Sequence, residues 1–186
     1  MLIHDWEAAF APYDEETYQT VLAQIAPHDV VLDIGAGDLR LTKRVAALAR
    51  RVYALERDPA VLARSERGTW PANLIVICAD ALTTSFPADV TTAILLMRHC
   101  THEHFALYRQ RLGALPGCRR LITNARWKMD VEVIALRSGG VYDPDRVGWY
   151  ACRCGSIGFT SGDPGIITPQ MLAEVIDVVS CPKCEA

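Results

Sequence analysis

What the chain has little of narrows it first. No run approaches the roughly 18 consecutive apolar residues of a membrane span, although 51% of the 186 residues are hydrophobic. Neither charge sign dominates. Lys and Arg number 19 against 22 Asp and Glu, a formal −3 with a pI near 5.9. That balance removes any global attraction to nucleic acid or to an anionic membrane, while leaving room for a local basic patch. The start, MLIHDWEAAFAP, is acidic rather than a positively charged segment leading an apolar one. A signal peptide is therefore not expected, and a cytoplasmic location without membrane contact is. Cysteine is not scarce, but its seven positions are scattered except for two close pairs at the far end. In a reducing compartment this distribution points to buried thiols plus a metal site more than to disulfides. The length suffices for one good core with at most a small appendage.

Around residues 30–42, VVLDIGAGDLRLT, the rest of the chain is organised. Apolar residues lead into Asp33, then Gly35 and Gly37, and a helical pattern follows at once. A strand that delivers a tight glycine turn to a helix N-terminus is the arrangement that binds nucleotide-like ligands. Ahead of it, residues 14–25 carry Tyr18, Leu22 and Ile25 at helical spacing, with acids in the first turn, and predict a helix covering one face of a sheet. Trp6, Phe10 or Tyr13 could instead close over the ligand.

Beyond the turn, strands and helices alternate. Residues 39–49 set Leu41, Val45 and Leu48 on one face, opposite Arg40, Lys43 and Arg44. Strands are expected at 51–56, 74–78, 90–97 and 120–123. Helices are expected at 59–67, with Asp58 as N-cap and Pro59 in the first turn, and at 103–115. This alternation means a parallel sheet with right-handed crossovers. Such sheets bind ligands at the carboxyl ends of their strands, which places Asp33, Glu56, Asp80 and residues 98–102 along one crevice.

The glycine turn offers backbone N–H groups for a carboxylate or phosphate. Glu56, about twenty residues on, suits the two hydroxyls of a ribose. A dinucleotide fingerprint wants a third glycine at position 40, where Arg40 stands, so a dinucleotide-dependent oxidoreductase is disfavoured. Asp33 also suits a cationic ligand better than a pyrophosphate. A sulfonium carrying an amino-acid tail and an adenosine fits, with Asp80 reaching the adenine amino group.

Over residues 30–123 the pattern resembles the class I S-adenosylmethionine-dependent methyltransferases. The first motif of that family is matched by Asp33, Ile34, Gly35, Ala36 and Gly37, the ribose acid by Glu56, and the adenine-side acid by Asp80 in CADAL. Where the family usually has its third glycine, Leu39 stands here. The resemblance implies an α/β, Rossmann-like three-layer sandwich with a mostly parallel sheet. It implies S-adenosylmethionine as cofactor, with Arg57, Ala81 and Arg98 joining Asp33, Gly35, Ala36, Gly37, Glu56 and Asp80 in the binding site.

The methyl acceptor is harder to read. Enzymes that methylate exocyclic amines of bases carry an Asn- or Asp-Pro-Pro-aromatic tetrapeptide after the fourth strand, and this chain has Met97, Arg98, His99 and Cys100 there. The Leu41-Thr42 pair resembles the ribosomal RNA adenine dimethylases, but without the tetrapeptide the acceptor stays open among RNA, protein and a small molecule. Cys100 as a nucleophile toward a pyrimidine lacks its flanking proline. His99 and His102 are the candidate general bases, although methyl transfer can run on alignment alone.

After the fifth strand the pattern changes. Residues 139–140 and 143–144 read as loop, 148–160 as a hairpin, and 168–176 as a short helix. Cys152 and Cys154 with Cys181 and Cys184 form two knuckles that would hold a tetrahedral zinc, structural because four sulfurs leave no open position. The chain thus divides into a cofactor-binding domain, 1–140, and a zinc-ribbon-like β element, 141–186, packed on it. Cys78, Cys100 and Cys118 are expected to be single buried thiols or part of the site lining. Arg146, Trp149, Tyr150 and Arg153, with Arg119, Arg120, Arg126 and Lys128, would suit single-stranded nucleic acid. Asp143, Asp145, Asp163 and Asp177 dilute that patch, which favours a stapling role for the metal element. A non-catalytic adaptor that binds the cofactor and works through a partner is the competing reading, and the oligomeric state is open.

Overall fold

The computed structural model describes residues 12–65, 70–98, 100–126, 130–154 and 156–185. The first half alternates as expected: α1 (Glu15–Leu22), β1 (Val30–Ile34), α2 (Arg40–Ala46), β2 (Arg51–Glu56), α3 (Pro59–Leu62), β3 (Leu74–Cys78), β4 (Thr92–Leu95), α4 (His102–Ala114) and β5 (Arg120–Thr123). Asp14 caps α1 by accepting from the Thr17 N–H, and Asp58 caps α3 by accepting from that of Ala60. The sixth strand, β6 (Glu132–Ala135), pairs antiparallel with β5 and completes a sheet of order β3-β2-β1-β4-β5-β6. The other five strands run parallel, giving the Rossmann-like architecture.

All five residues of β1 are buried, because helices cover both faces of the sheet. The alternation of the strand sorts its side chains into two cores. Leu32 and Ile34 pack with Leu55, Leu95, Phe105 and Leu112 on the α4 side. Val31 packs with Tyr18, Val21, Leu41 and Val45 on the side of α1 and α2. At the opposite end from the glycine turn, Asp29 accepts from Thr92 Oγ1 at 2.9 Å and from Arg120 Nη2 at 2.6 Å. Burial pushes its carboxyl up, but the Ala26 N–H, the Thr92 hydroxyl and Arg120 outweigh that and hold it below the usual range. The amino ends of β1, β4 and β5 are thereby tied together. The strand order reverses between β1 and β4, so the crevice opens at the carboxyl ends of those strands.

A second sheet of order β8-β7-β9 follows. The expected hairpin is β7 (Gly148–Cys152) with β8 (Ile157–Thr160), antiparallel. The expected helix over 168–176 is a correction. The α5 helix (Pro169–Ala173) stops early, and Val175–Val178 forms β9, parallel to β7. Val175, Ile176 and Val178 are β-branched, and pairing with β7 decides their state. The β6 strand is likewise additional, and it covers the β5 edge that the sequence left open. A short α6 (Pro182–Glu185) ends the described chain. Of the helix expected over 59–67, only Pro59–Leu62 is helical, and residues 66–67 lie outside the described residues, as do Trp6, Phe10, His99 and Lys128. Among the described residues no helix is long and apolar enough to cross a membrane.

Candidate cofactor crevice and four-cysteine centre

The glycine turn takes its shape from positive φ values at Gly35 (72°), Gly37 (58°) and Leu39 (65°). A Cβ at Gly35 would meet Met97 Cε at 3.2 Å, so a side chain there would push on the residue just past β4. Leu39 adopts the left-handed conformation for which the family usually employs glycine. Its side chain is fully buried in the α1–α2 core, which explains how a leucine is held there.

The N–H groups of the turn are less free than the sequence suggests. Those of Gly35 and Ala36 both donate to the Leu55 carbonyl, at 2.8 and 3.1 Å. That of Gly37 donates to Glu56 Oε2 at 2.9 Å. The turn folds down over the end of β2 and is held there, so these donors set its shape rather than waiting for an anion. Glu56 Oε1 accepts from the Asp58 N–H at 2.9 Å. A carboxylate has about four acceptor sites. Two fix the turn to the loop after β2, and the other two take no donor among the described residues.

Asp33 is buried at the end of β1, where Thr42 donates to its Oδ2 at 2.6 Å. Burial pushes its carboxyl up to about 6, the nearby Glu56 charge adds to the push, and the Thr42 hydroxyl opposes it. Thr42 is therefore a site residue whose hydroxyl the sequence reading did not employ. Asp80, after β3, accepts from the Leu82 N–H through Oδ1 at 2.8 Å, and among the described residues no donor reaches Oδ2. Arg111 of α4 fixes the same loop through the carbonyls of buried Ala81 and of Thr84 and lies over the Phe86 ring at 4.2 Å. Arg57 is exposed. Arg98 is also exposed; its N–H donates to Tyr13 Oη at 3.0 Å, and its guanidinium lies 4.2 Å from the centre of that ring. His102 is exposed in the first turn of α4.

A family model of ribosomal RNA adenine dimethylases matches residues 13–116, a stretch that contains Asp33, the glycine turn, Glu56 and Asp80. The chain belongs to that family. It is accordingly a member of the class I S-adenosylmethionine-dependent methyltransferases. A probable ribosomal RNA small subunit methyltransferase A of Methanosarcina mazei is 30% identical over 142 residues, 66% of this chain and 52% of that protein. A protein of the same description from Methanosarcina barkeri is 45% identical over 143 residues, 66% and 50% of the two chains. The chain thus spans about half the length of these curated relatives. Among solved structures, the 23S rRNA methyltransferase ErmE aligns with a TM-score of 0.51 at 23% identity, covering 60% of this chain and 46% of that one. A dimethyladenosine transferase from Plasmodium falciparum aligns at 0.52 and 20%, covering 61% and 42%. At these identities the likeness is one of fold. The family match revises the weight given to the missing tetrapeptide. The Leu41-Thr42 pair was the better guide, although residues 97–100 still depart from the tetrapeptide. The match ends before β5, so β6 and the cysteine centre lie beyond it.

At one end of the small sheet, where β7 and β9 finish, Cys152, Cys154, Cys181 and Cys184 bring their sulfurs within 4.8 Å of one another. Sγ–Sγ separations are 3.7 Å for Cys152–Cys184, 3.7 Å for Cys154–Cys181 and 3.8 Å for Cys181–Cys184. These distances exclude a disulfide bond, whose sulfurs lie ~2.05 Å apart. The Cys181 N–H donates to Cys184 Sγ at 3.2 Å, which orients the second knuckle. The core beneath consists of Cys152, Val178 and Cys181, with Tyr142, Tyr150 and Ile176 packed against it. Two of its three buried members are therefore thiols of the cluster.

Proposed function

We propose that the protein is an S-adenosylmethionine-dependent methyltransferase that acts on RNA and carries a structural zinc. The observation behind the cofactor is the trio of acids at the ends of β1, β2 and β3. Asp33 is a buried carboxylate with no counter-charge among the described residues, its pKa raised for that reason, and a cationic ligand would supply the missing charge. Glu56 keeps acceptor sites for a ribose diol, and Asp80 keeps Oδ2 for an amino group. When bound, the cofactor supplies a methyl group on a positively charged sulfur. The turn at Gly35, Ala36 and Gly37 would shape the site beside it, with Ala81, Arg57 and Arg98 at its edges. RNA as acceptor is supported by the family and by the names of the relatives. We assign the release of the proton to water or to His102, which is exposed in the first turn of α4.

Zinc is supported by the spacing of the sulfurs. A tetrahedron with Zn–S bonds of ~2.3 Å has edges of ~3.8 Å, and three of the six sulfur–sulfur edges measure 3.7, 3.7 and 3.8 Å. We place the division between the cofactor-binding domain and the zinc element at residues 140–141.

Labelled methyl transfer to ribosomal RNA, run beside calorimetry with S-adenosylmethionine and its demethylated product, tests the reading. Binding that is lost in Asp33→Ala and Glu56→Ala, with label reaching RNA, is the expected result. Residues 97–100, which lack the amine-methylating tetrapeptide, favour a second reading as a cofactor-binding adaptor. Binding without transfer to RNA, protein or small-molecule fractions would support that one instead.

A further inference from the structure

Arg111, near the end of α4, reaches across to the loop that follows β3. Its Nη1 donates to the Ala81 carbonyl and its Nη2 to the Thr84 carbonyl, while the guanidinium lies 4.2 Å from the centre of the Phe86 ring. The peptide between Ala81 and Leu82 is thereby gripped at both ends. Its carbonyl takes Arg111, and its N–H donates to Asp80 Oδ1 at 2.8 Å. Hydrogen bonds linked through one peptide unit polarise and orient one another. A continuous path therefore runs from the guanidinium through that peptide to the Asp80 carboxylate, and Oδ2 is the oxygen it leaves over. That oxygen can be reached. Among the described residues, the side-chain atoms that are both unpartnered and sealed from solvent are Arg109 Nε, Asn124 Oδ1 and Arg153 Nε. Asp80 is half-buried and contributes none of them.

The remainder of the loop is wound around the same residue. The N–H groups of Thr83 and Thr84 donate to the Asp80 carbonyl at 3.2 and 2.9 Å, so residues 80–84 form a single helical turn. Such a turn ends in carbonyls that its own backbone cannot pair, and Arg111 takes two of them. The planar fork of an arginine spans two carbonyls in a fixed geometry, which a lysine ammonium does not. We propose that Arg111 is a positioning residue for base selection. Acting through the Ala81–Leu82 peptide, it aims Asp80 so that Oδ2 accepts the amino group of an adenine and repels a purine with an oxygen at that place. The inference rests on the S-adenosylmethionine reading and adds a residue that touches no part of the ligand.

S-adenosylhomocysteine and S-inosylhomocysteine, which carries an oxygen in place of the amino group, are the probes. Calorimetry on the full chain gives both affinities. Wild type is expected to prefer the adenine compound at least about tenfold, because an acceptor built to pair an N–H rejects an analogue without it. Arg111→Met keeps the reach of the side chain and its contact with Phe86 but has no donor. The preference should fall by about three- to tenfold, with the loss on the adenine compound. Arg111→Lys, able to hold one carbonyl, should recover part of it. Arg137 also holds carbonyls, those of Leu115, Pro116 and Cys118, but it is bonded to the segment before β5. Arg137→Met should leave the preference untouched, which separates aiming from the general loss of an arginine clamp. A wild type without preference, a preference undiminished in Arg111→Met, or one equally reduced in Arg137→Met would overturn the proposal.

The Leu82 amide proton supplies a second measurement that needs no ligand. Bonded to a carboxylate, it should resonate downfield in the NMR spectrum and move upfield in Arg111→Met but not in Arg137→Met. An unmoved resonance would remove the path through the peptide. If wild type binds neither compound while Leu82 responds as expected, the cofactor reading fails and the hold of Arg111 on Asp80 stands.

Discussion

Arg126 Nη1 donates to Asp177 Oδ1 at 2.8 Å, joining the residues after β5 to the last strand of the small sheet. The same carboxylate oxygen takes Arg109 Nη2 at 3.3 Å, and Arg109 Nη1 reaches the Cys152 carbonyl at 3.1 Å. Arg126 is further paired with Glu132 of β6. Both guanidiniums are almost wholly buried. Burial lowers the Arg109 pKa and the Asp177 charge opposes the fall. Asp177 is thus one point at which the large sheet and the four-cysteine element are held together, beside the backbone bonds between Gly140 and residues 177–179.

Removing one partner from a buried ion pair leaves the others uncompensated. Asp177→Ala strands Arg109 without a carboxylate and leaves Arg126 with Glu132 alone. Urea unfolding should show a loss of about 3 kcal/mol. Asp145→Ala, at an exposed loop position, should change stability by less than ~0.5 kcal/mol. Equal effects of the two substitutions would show that the staple carries no stability.

The proposed zinc makes the small sheet's dependence on metal measurable. With Cys152 and Cys181 making up most of its buried centre, its apolar core is too small to fold on hydrophobic burial alone. Metal analysis should return one zinc per chain. Stripping it with a chelator should erase the near-ultraviolet circular dichroism of the Trp149–Phe159 pair, whose rings meet edge to face at 5.1 Å. The crevice acids lie on the other sheet, so affinity for S-adenosylmethionine should survive. A near-ultraviolet spectrum unchanged after complete zinc removal would contradict this dependence.

Leu39 makes a prediction that inverts the usual order of substitutions. Its left-handed backbone costs a non-glycine residue roughly 1–2 kcal/mol, and burial of its side chain contributes about 1.5–3 kcal/mol. Leu39→Ala keeps the strain and loses the packing, at about 2–5 kcal/mol. Leu39→Gly loses the same packing but relieves the strain, so it should cost about 1–2 kcal/mol less than Ala. Denaturant midpoints for the two variants decide the matter, and an Ala variant as stable as the Gly one would remove the strain argument.

The parts of the fold that were legible in the sequence are those with a local signature. The strands β2, β3 and β5 match their expected spans because each is a compact apolar or β-branched run bounded by turn residues. Asp58 was readable as a cap because capping is chemistry between near neighbours, whereas Asp14, read as the first helical residue, caps α1 instead. The β6 and β9 strands were not readable. Glu132–Ala135 and Val175–Val178 are four residues each, and they become strands through pairing with β5 and β7, which lie far away along the chain. The same holds for the site. Asp33, Glu56 and Asp80 follow from strand ends, and the sulfurs follow from two short spacings. The engagement of Gly37 by Glu56 and the orphaned oxygen of Asn124 are products of packing, and no spacing encodes them.

The proposed role of Asp33 ties the pH dependence of cofactor binding to a single buried carboxyl. Its pKa in the ligand-free protein is raised from 3.8 to about 6, chiefly by burial. For an acid shifted upward, the folded state holds its proton more tightly than the unfolded chain does. The associated stability is therefore present below about pH 4 and is lost as the pH rises through 6. By neutral pH the ionised carboxylate costs the empty protein about 3 kcal/mol. A cationic ligand relieves that cost and needs the ionised form. Affinity for S-adenosylmethionine should hence be level above pH 7 and fall by up to about tenfold per unit between pH 6 and 4. Asp33→Asn can still accept the Thr42 hydroxyl but carries no charge. It should bind the cofactor more weakly at neutral pH, lose most of the slope below pH 6, and melt at a higher temperature than wild type without ligand. Calorimetric titrations across this range on both proteins provide the measurement. An undiminished slope in Asp33→Asn would move the titration to another group, and an unchanged neutral-pH affinity would separate Asp33 from the ligand altogether.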